Sequence, residues 1–378
     1  MAGIYIHIPF CRQACHYCDF HFSTSMKKKD EMVNALAKEI SLRKNELHQE
    51  TIETIYFGGG TPSVLSDADI QYLIETVYKN HTVCINPEIT LEANPDDLSE
   101  ERIKGLAVTP VNRLSIGVQS FFEEDLKLMN RAHNAAQAEA CLSIACNYFN
   151  NISIDLIYGI PGMDNSRWIK NIEKALSFGI PHISSYALTV EPKTALDVFV
   201  KKGVIPQPSD EAAREQFLLL IENLEAKGFI HYELSNFGRE GYFSRNNTAY
   251  WLGKKYIGIG PSAHSYDGYY RSWNIANNTL YLKSLNEGRP PLEKEKLTTA
   301  DRYNEYIMTG LRTIWGISVE RINNEFGSLY ADYLLKESAV FIKEGLVSVQ
   351  DNTITTTRKG KFLADGIASD LFFLNLKE

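Results

Sequence analysis

Tyr5-Ile6-His7-Ile8-Pro9-Phe10-Cys11-Arg12-Gln13-Ala14-Cys15-His16-Tyr17-Cys18 joins a strand-like apolar run to three closely spaced cysteines. Three thiolates within eight residues can surround one inorganic centre, and a four-iron cube ordinarily takes four. With Cys11, Cys15 and Cys18 supplied locally, one iron would keep an open position for another ligand. Other readings of the same residues stay open. Zinc takes Cys and His tetrahedrally, and His7, His16 or His21 could complete such a set. Cys15-x-x-Cys18 alone could be a redox pair.

The strand before the cysteines is the first of a series. Short β-rich runs at Gly3–Ile8, Glu53–Phe57, Glu88–Glu92, Arg113–Val118, Ile152–Tyr158 and His182–Leu188 alternate with amphipathic stretches. The helices are expected at 28–47, 67–80, 100–106, 123–129, 135–149 and 166–178, with Ser66 and Ser99 as N-caps and Gly179 as a stop. Such alternation signals parallel βα units, and six of them make an α/β fold of the TIM type left incomplete, a (β/α)6 barrel. A further helix at 210–227 precedes a Gly-, Tyr- and Asn-rich stretch, and Arg289-Pro290-Pro291 reads as a linker. Beyond it come three helical segments and two β-rich runs around Asp351-Asn352, the outline of a small winged-helix-like α+β domain. The chain thus divides into a partial barrel (1–230), a Gly/Tyr-rich extension and linker (231–290) and the C-terminal domain (291–378).

Composition bounds the function. With 44% hydrophobic and 23% charged residues the chain can build a large core. A net charge of −8 argues against a nucleic-acid surface, and residues 298–378 carry nine Lys/Arg against eleven Asp/Glu despite their winged-helix outline. No apolar run has the length of a membrane span, so no integral membrane segment is expected. The N-terminus has no basic region or cleavage site, and six cysteines without a secreted-domain pattern point to a reducing, cytoplasmic setting. Cys141 and Cys146 fall in a helical stretch and Cys84 between elements, where buried free thiols are expected.

In parallel barrels the functional side chains gather at the C-terminal ends of the strands. Gly58-Gly59-Gly60-Thr61-Pro62 follows the second strand and removes every Cβ from a backbone that a ligand could approach. It has neither phosphate-loop nor dinucleotide spacing. Glu92 ends the third strand, Gln119 the fourth, and Asp155 sits within the apolar fifth, where a carboxylate is costly unless paired. Such groups suit an amino-acid-like, ribose-bearing ligand, with Arg131 available for a ligand carboxylate.

These residues resemble the radical S-adenosylmethionine superfamily: Cys11-x3-Cys15-x2-Cys18 with Tyr17 before the third cysteine, and the glycine run after strand two. The resemblance implies a [4Fe-4S] cluster on the three cysteines, with an open iron for S-adenosylmethionine, and an electron donor to reduce it. Tyr5–Cys11, Gly58–Ser63, Arg113–Phe121 and Asp155–Gly162 are similar to the coproporphyrinogen-dehydrogenase-like group, and with the C-terminal appendage the likeness spans nearly the whole chain. It implies that Tyr5, Tyr17, Gly59, Gly60, Thr61, Glu92, Gln119, Arg131 and Asp155 line the S-adenosylmethionine site.

Within that group, dehydrogenases carry a further cysteine where this chain has Phe20, together with an N-terminal extension for which the motif lies too near Met1. Phe20 and the short start resemble the heme-chaperone branch, which implies heme or a porphyrin as ligand and hemoproteins as acceptors. That branch usually reads His-Asn-x-x-Tyr-Trp where this chain has Asn246-Asn247-Thr248-Ala249-Tyr250-Trp251. An amide is not a usual axial ligand of heme iron, which leaves Tyr250, His264 and His133 as substitutes. The expectation is a heme-trafficking radical protein, with oxygen-independent coproporphyrinogen III dehydrogenation as the alternative.

Overall fold

The computed structural model describes residues 2–47 and 50–374. Twelve strands form one open, mixed sheet: β1 (Ala2–Ile8), β2 (Ile52–Gly59), β3 (Val83–Ala93), β4 (Arg113–Gln119), β5 (Ile152–Tyr158), β6 (His182–Ala187), β7 (Ile230–Glu233), β8 (Asn236–Gly238), β9 (Lys255–Ile259), β10 (His264–Tyr266), β11 (Tyr270–Asn274) and β12 (Leu292–Lys296). The first six run parallel in chain order, each joined to the next through at least one helix, which is the incomplete (β/α)6 barrel expected from the sequence. The sheet order leaves β12 and β7 as its edges, so the barrel stays open.

Alternation explains why these strands form. Ile4, Ile6 and Ile8 of β1 and Leu114, Ile116 and Val118 of β4 point out under the helices and are 0–1% exposed. The opposite face looks into the barrel and is polar: Tyr5 and His7 on β1, Arg113, Ser115 and Gln119 on β4, Ser153 and Asp155 on β5, His182 and Ser184 on β6. A closed eight-stranded barrel fills this space with branched apolar residues. Here it holds hydrogen-bonding side chains from bottom to top.

Helices begin where the sequence signals them. Ser66 and Ser99 accept from Asp69 N and Arg102 N, and Gly179 adopts φ +69° after the helix Asn165–Ser177. Elsewhere the elements differ. The first helix ends at Leu42, and Arg43, which caps it, reaches inward to bond Glu39 and Glu46. Strand β3 starts at Val83, so Cys84 lies within a strand; its pairing with β2 shifts register between Ile52 and Thr54, and Pro87 falls in the resulting bulge. The stretch 231–290 contributes strands rather than loop alone: β9 pairs parallel with β1, and β10 and β11, with β12 just beyond the stretch, extend that edge antiparallel.

The C-terminal region packs helices Thr299–Leu311, Val319–Phe326 and Ser328–Lys343 against a three-stranded sheet, Ile317–Ser318 with the hairpin Val347–Gln350 and Thr353–Thr356. Asp351 and Asn352 both take positive φ (48° and 57°), the primed turn that matches strand twist. Tyr303, Ile307, Leu334 and Ile354 belong to a core separate from that of the barrel. Among the described residues no helix is long and apolar enough to cross a membrane.

Candidate functional site

The cysteine loop leaves β1 at the C-terminal end of the barrel and is pinned at both ends. Ser23 N donates to Pro9 O at 3.0 Å and Cys11 N to Ser23 O at 3.1 Å, closing its base. Its tip is latched to the segment after the fourth strand. His16 N donates to Met129 O (3.0 Å), Asn130 Nδ2 to Ala14 O (2.7 Å), and Gln13 Nε2 to Asn130 O (2.7 Å). Asn130 adopts φ +57°, a left-handed conformation that Asn tolerates better than most residues. Cys11, Cys15 and Cys18, all free thiols, thereby share one wall of a cavity of about 430 Å³.

The other walls come from strand ends. Gly59, Gly60, Thr61, Glu92, Gln119, Arg131, Asp155 and Tyr17 line the same cavity, so eight of the nine residues singled out as cofactor contacts meet there. Tyr5 does not line it. Tyr5 lies below, stacked on Tyr56 with ring centroids 6.1 Å apart, its hydroxyl 3.2 Å from His7 Nδ1. Asn94, Ser115, Gly117 and Tyr186 also line the cavity and escaped the sequence reading. For Asn94, Ser115 and Gly117 the signal was the period of two: each lies two residues from an identified group, or opposite one on the next strand, whereas Tyr186 stands beyond the level of Asp155.

The glycines answer to the chain as well as to a ligand. A Cβ on Gly59, whose φ is +108°, would lie 2.5 Å from His7 Nδ1, and one on Gly60 would lie 2.6 Å from Phe10 O. Gly60 N and Thr61 N donate to Ile8 O and Phe10 O at 2.9 and 2.7 Å, so these two amides are spent on holding the cysteine loop. Thr61 Oγ1 in turn donates to Cys11 Sγ at 3.3 Å.

Two carboxylates sit deep in the cavity. Glu92 Oε1 accepts from Tyr56 Oη at 2.8 Å; burial, and then the charge of Asp155, push its pKa up to about 7. Asp155 is pushed up to about 6 by burial, opposed by the guanidinium of Arg113, which is itself 2% exposed. Arg131 Nη1 is 3.2 Å from Cys15 Sγ, and its Nη2 donates to Asn94 Oδ1 (2.6 Å) and Gly117 O (2.9 Å). Those donors are committed to the chain, so Arg131 orients Cys15 more directly than it could meet a ligand carboxylate. Burial raises the thiol of Cys11 to about 11, so an uncompensated thiolate there is unfavourable. Gln119 has φ +66° at a register shift on β4, a strained backbone at the cavity wall.

Asn246 is nowhere near this end. It sits beneath the N-terminal ends of the strands, 2% exposed, with Oδ1 accepting from Thr54 Oγ1 at 2.9 Å. Of the substitutes, His133 is buried and bonded through Nε2 to Val118 O (3.0 Å), and Tyr250 packs on Tyr256. His264 is exposed, beside Trp273.

Three thiols and a polar, glycine-floored cavity at the mouth of an open (β/α)6 sheet define a radical S-adenosylmethionine protein, and comparison with known proteins agrees. The Radical SAM superfamily model matches residues 5–175 and the HemN C-terminal domain model matches residues 297–363. The chain belongs to the radical SAM superfamily, in the family of the heme chaperone HemW. It is 34% identical to the protein of that name from Bacillus subtilis, over 97% of this chain and 98% of the relative, and 31% identical to that from Mycobacterium tuberculosis, over 98% and 94%. Among solved structures, coproporphyrinogen III oxidase (HemN) from Escherichia coli superposes with a TM-score of 0.85 at 25% identity, covering 98% of this chain and 90% of that one. The family implies a [4Fe-4S] cluster and S-adenosylmethionine.

Proposed function

We propose that Cys11, Cys15 and Cys18 carry a [4Fe-4S] cluster with one iron open, and that Tyr17, Gly59, Gly60, Thr61, Glu92, Gln119, Arg131 and Asp155, with Tyr5 beneath, form the S-adenosylmethionine site. The observation that carries this is the single cavity shared by three thiols and two carboxylates. The donor set suits such a group. Among the described residues no three Cys, His, Asp or Glu side chains converge on a point fit for one metal ion, whereas a cube takes each thiolate at a separate iron. Together the two groups supply one-electron radical chemistry when bound. The chain's part is to position: Thr61 and Arg131 hold Cys11 and Cys15 by hydrogen bonds, and Glu92 and Asp155 offer acceptors to an ammonium or to hydroxyls.

We read the molecule as a heme chaperone that binds heme and passes it to hemoproteins, in a cytoplasmic setting and with an external electron donor. Full-length similarity to proteins of that name supports this, as does Phe20, 68% exposed at the cavity rim where the dehydrogenases are expected to carry a cysteine. Titrating heme into reconstituted protein should give a saturable spectral change, and its absence overturns the chaperone reading. Of the three substitute ligands His264 is the one to replace first. The likeness to HemN favours a second reading, radical decarboxylation of coproporphyrinogen III. Anaerobic release of carbon dioxide from that substrate would establish it. We place the start of the appended domain near residue 297 rather than 291, because β12 pairs with β11 in the barrel sheet.

A further inference from the structure

Strand β7, at the edge of the sheet, and the C-terminal domain share a short edge: Leu234 N donates to Arg312 O at 3.0 Å and Ile314 N to Tyr232 O at 3.1 Å. Beside it lies a second cavity of about 200 Å³, walled by His231 and Glu233 from one side and by Arg312, Thr356 and Lys361 from the other. That space far exceeds what one water needs.

Of the groups that line it, Lys361 and Arg312 are cationic and Glu233 is anionic, with Asp365, Glu225 and Arg358 just outside. Lys361 Nζ is 2.8 Å from His231 Nδ1. His231 Nε2 lies 3.0 Å from Leu234 O and must carry the ring proton to bond it, so Nδ1 accepts from the lysine and the ring is neutral. Burial, then the charge of Lys361, holds that ring near pKa 3, and burial, opposed by the charge of Glu225, lowers Lys361 to about 8.

The neighbouring carboxylates are engaged elsewhere. Glu233 Oε2 accepts from Asn236 Nδ2 (2.6 Å) and Ser235 N (3.1 Å), while Oε1 faces Arg312 Nη2 at 3.3 Å. Asp365 takes Arg312 Nη1 at 2.6 Å, and Glu225 pairs with Arg358. Arg312 Nε is buried with no acceptor among the described residues. The hydroxyl of Thr356 donates to Leu311 O, and the carboxylate that acts on the ammonium is Glu225, which it shares with Arg358. A clasp between domains would need neither a charged donor nor an open cavity. A half-buried ammonium that shares its carboxylate, Glu225, with Arg358 is incompletely compensated, and an anion of the right size reduces the cost.

We propose that this junction cavity is a binding site for a small oxyanion, phosphate or a small carboxylate, held between Lys361 and Arg312 and bridging the barrel to the C-terminal domain. The full chain should bind inorganic phosphate or acetate saturably by calorimetry at ionic strength fixed with sodium chloride, and Lys361→Met should weaken that binding at least tenfold. Tighter binding of phosphate identifies a phosphate source, and tighter binding of acetate a carboxylate source. No saturable binding of either, or binding unchanged in the variant, overturns the proposal. A measurement on the unaltered chain guards against a folding defect. Acetylation of Lys361, read by peptide mass spectrometry, should slow several-fold when the bound oxyanion is present, and an unchanged rate also overturns the site.

Discussion

Glu88 and Glu92 lie on the same strand, four residues apart, and both face the barrel interior, yet their surroundings differ in kind. Glu88 is 4% exposed, and its two oxygens accept from Arg245 N and Asn246 N, each at 3.1 Å, at the start of the helix Arg245–Trp251. Its capacity is spent on the fold. Glu92, one level higher, lines the cavity under the three cysteines while Tyr56 holds one of its oxygens. Residue type and burial do not separate these carboxylates; the cavity does. Beneath it Thr54, Ser153, His182 and Tyr232 satisfy one another or their neighbours, with Ser153 Oγ 2.7 Å from His182 Nδ1 and His182 Nε2 2.7 Å from the Tyr232 hydroxyl. The upper half turns Glu92 and Asp155 toward a cavity, and the lower half bonds Glu88, Thr54, Ser153 and His182 to the chain.

The sharpest test of that division is Cys15→Ser. If the upper end serves a ligand, this change abolishes the visible absorbance of the reconstituted cluster and leaves the circular dichroism of the apo chain unchanged. A retained chromophore would remove Cys15 from the ligand set.

The paired variants come next in size. Glu92→Gln should weaken S-adenosylmethionine binding by about tenfold or more, the loss of one charge-assisted hydrogen bond, with cluster content retained. Glu88→Gln should do the reverse, lowering unfolding free energy by about 2 kcal/mol through an unsatisfied backbone amide while leaving that affinity unchanged. Identical outcomes for the two would show that depth in the barrel does not sort function from fold.

Acidity separates the two levels more gently. Glu92 and Asp155 have folded-state pKa values raised to about 7 and about 6, so between roughly pH 4 and 7 the folded apo chain binds more protons than the unfolded one. Their contribution makes stability fall as pH rises through that window. Thermal melts of the apo protein from pH 5 to 7.5 should show the decline, and Glu92→Gln should flatten it. An equal slope in the variant would mean that another group sets it.

What the sequence disclosed follows the same division. The six parallel strands were legible because Ile4, Ile6 and Ile8, or Leu114, Ile116 and Val118, alternate with polar residues, and the upper site was legible because strand ends in such folds carry ligands. Strands β9–β12 were not, since they are three to five residues long, β12 is nearly all charged, and β9 finds its partner β1 some 250 positions away. The beginning of β3 was masked by Pro87, which reads as a strand breaker but sits in a bulge. The roles of Arg131 and of Gly60 were half-legible. Their residue types pointed at a ligand, but only three-dimensional proximity shows Arg131 bonded to Cys15 and the Gly60 amide bonded to Ile8.

Asn246 is the smallest test and bears on the lower half alone. Its Oδ1 accepts from Thr54 Oγ1, and a Cβ placed on Gly3 would already lie 3.4 Å from that oxygen, so strands β1 and β2 cover the amide where a porphyrin would have to approach. Among the described residues its Nδ2 meets no well-placed acceptor beyond its contact with the Tyr250 hydroxyl, which makes the amide a modest contributor. Asn246→Ala should therefore cost about 1 kcal/mol of stability, one net hydrogen bond, and leave heme affinity within twofold. Should heme binding fall tenfold while the fold survives, the lower end of the barrel opens in solution, and the line between its bonded and cavity-facing groups would have to be redrawn at Thr54.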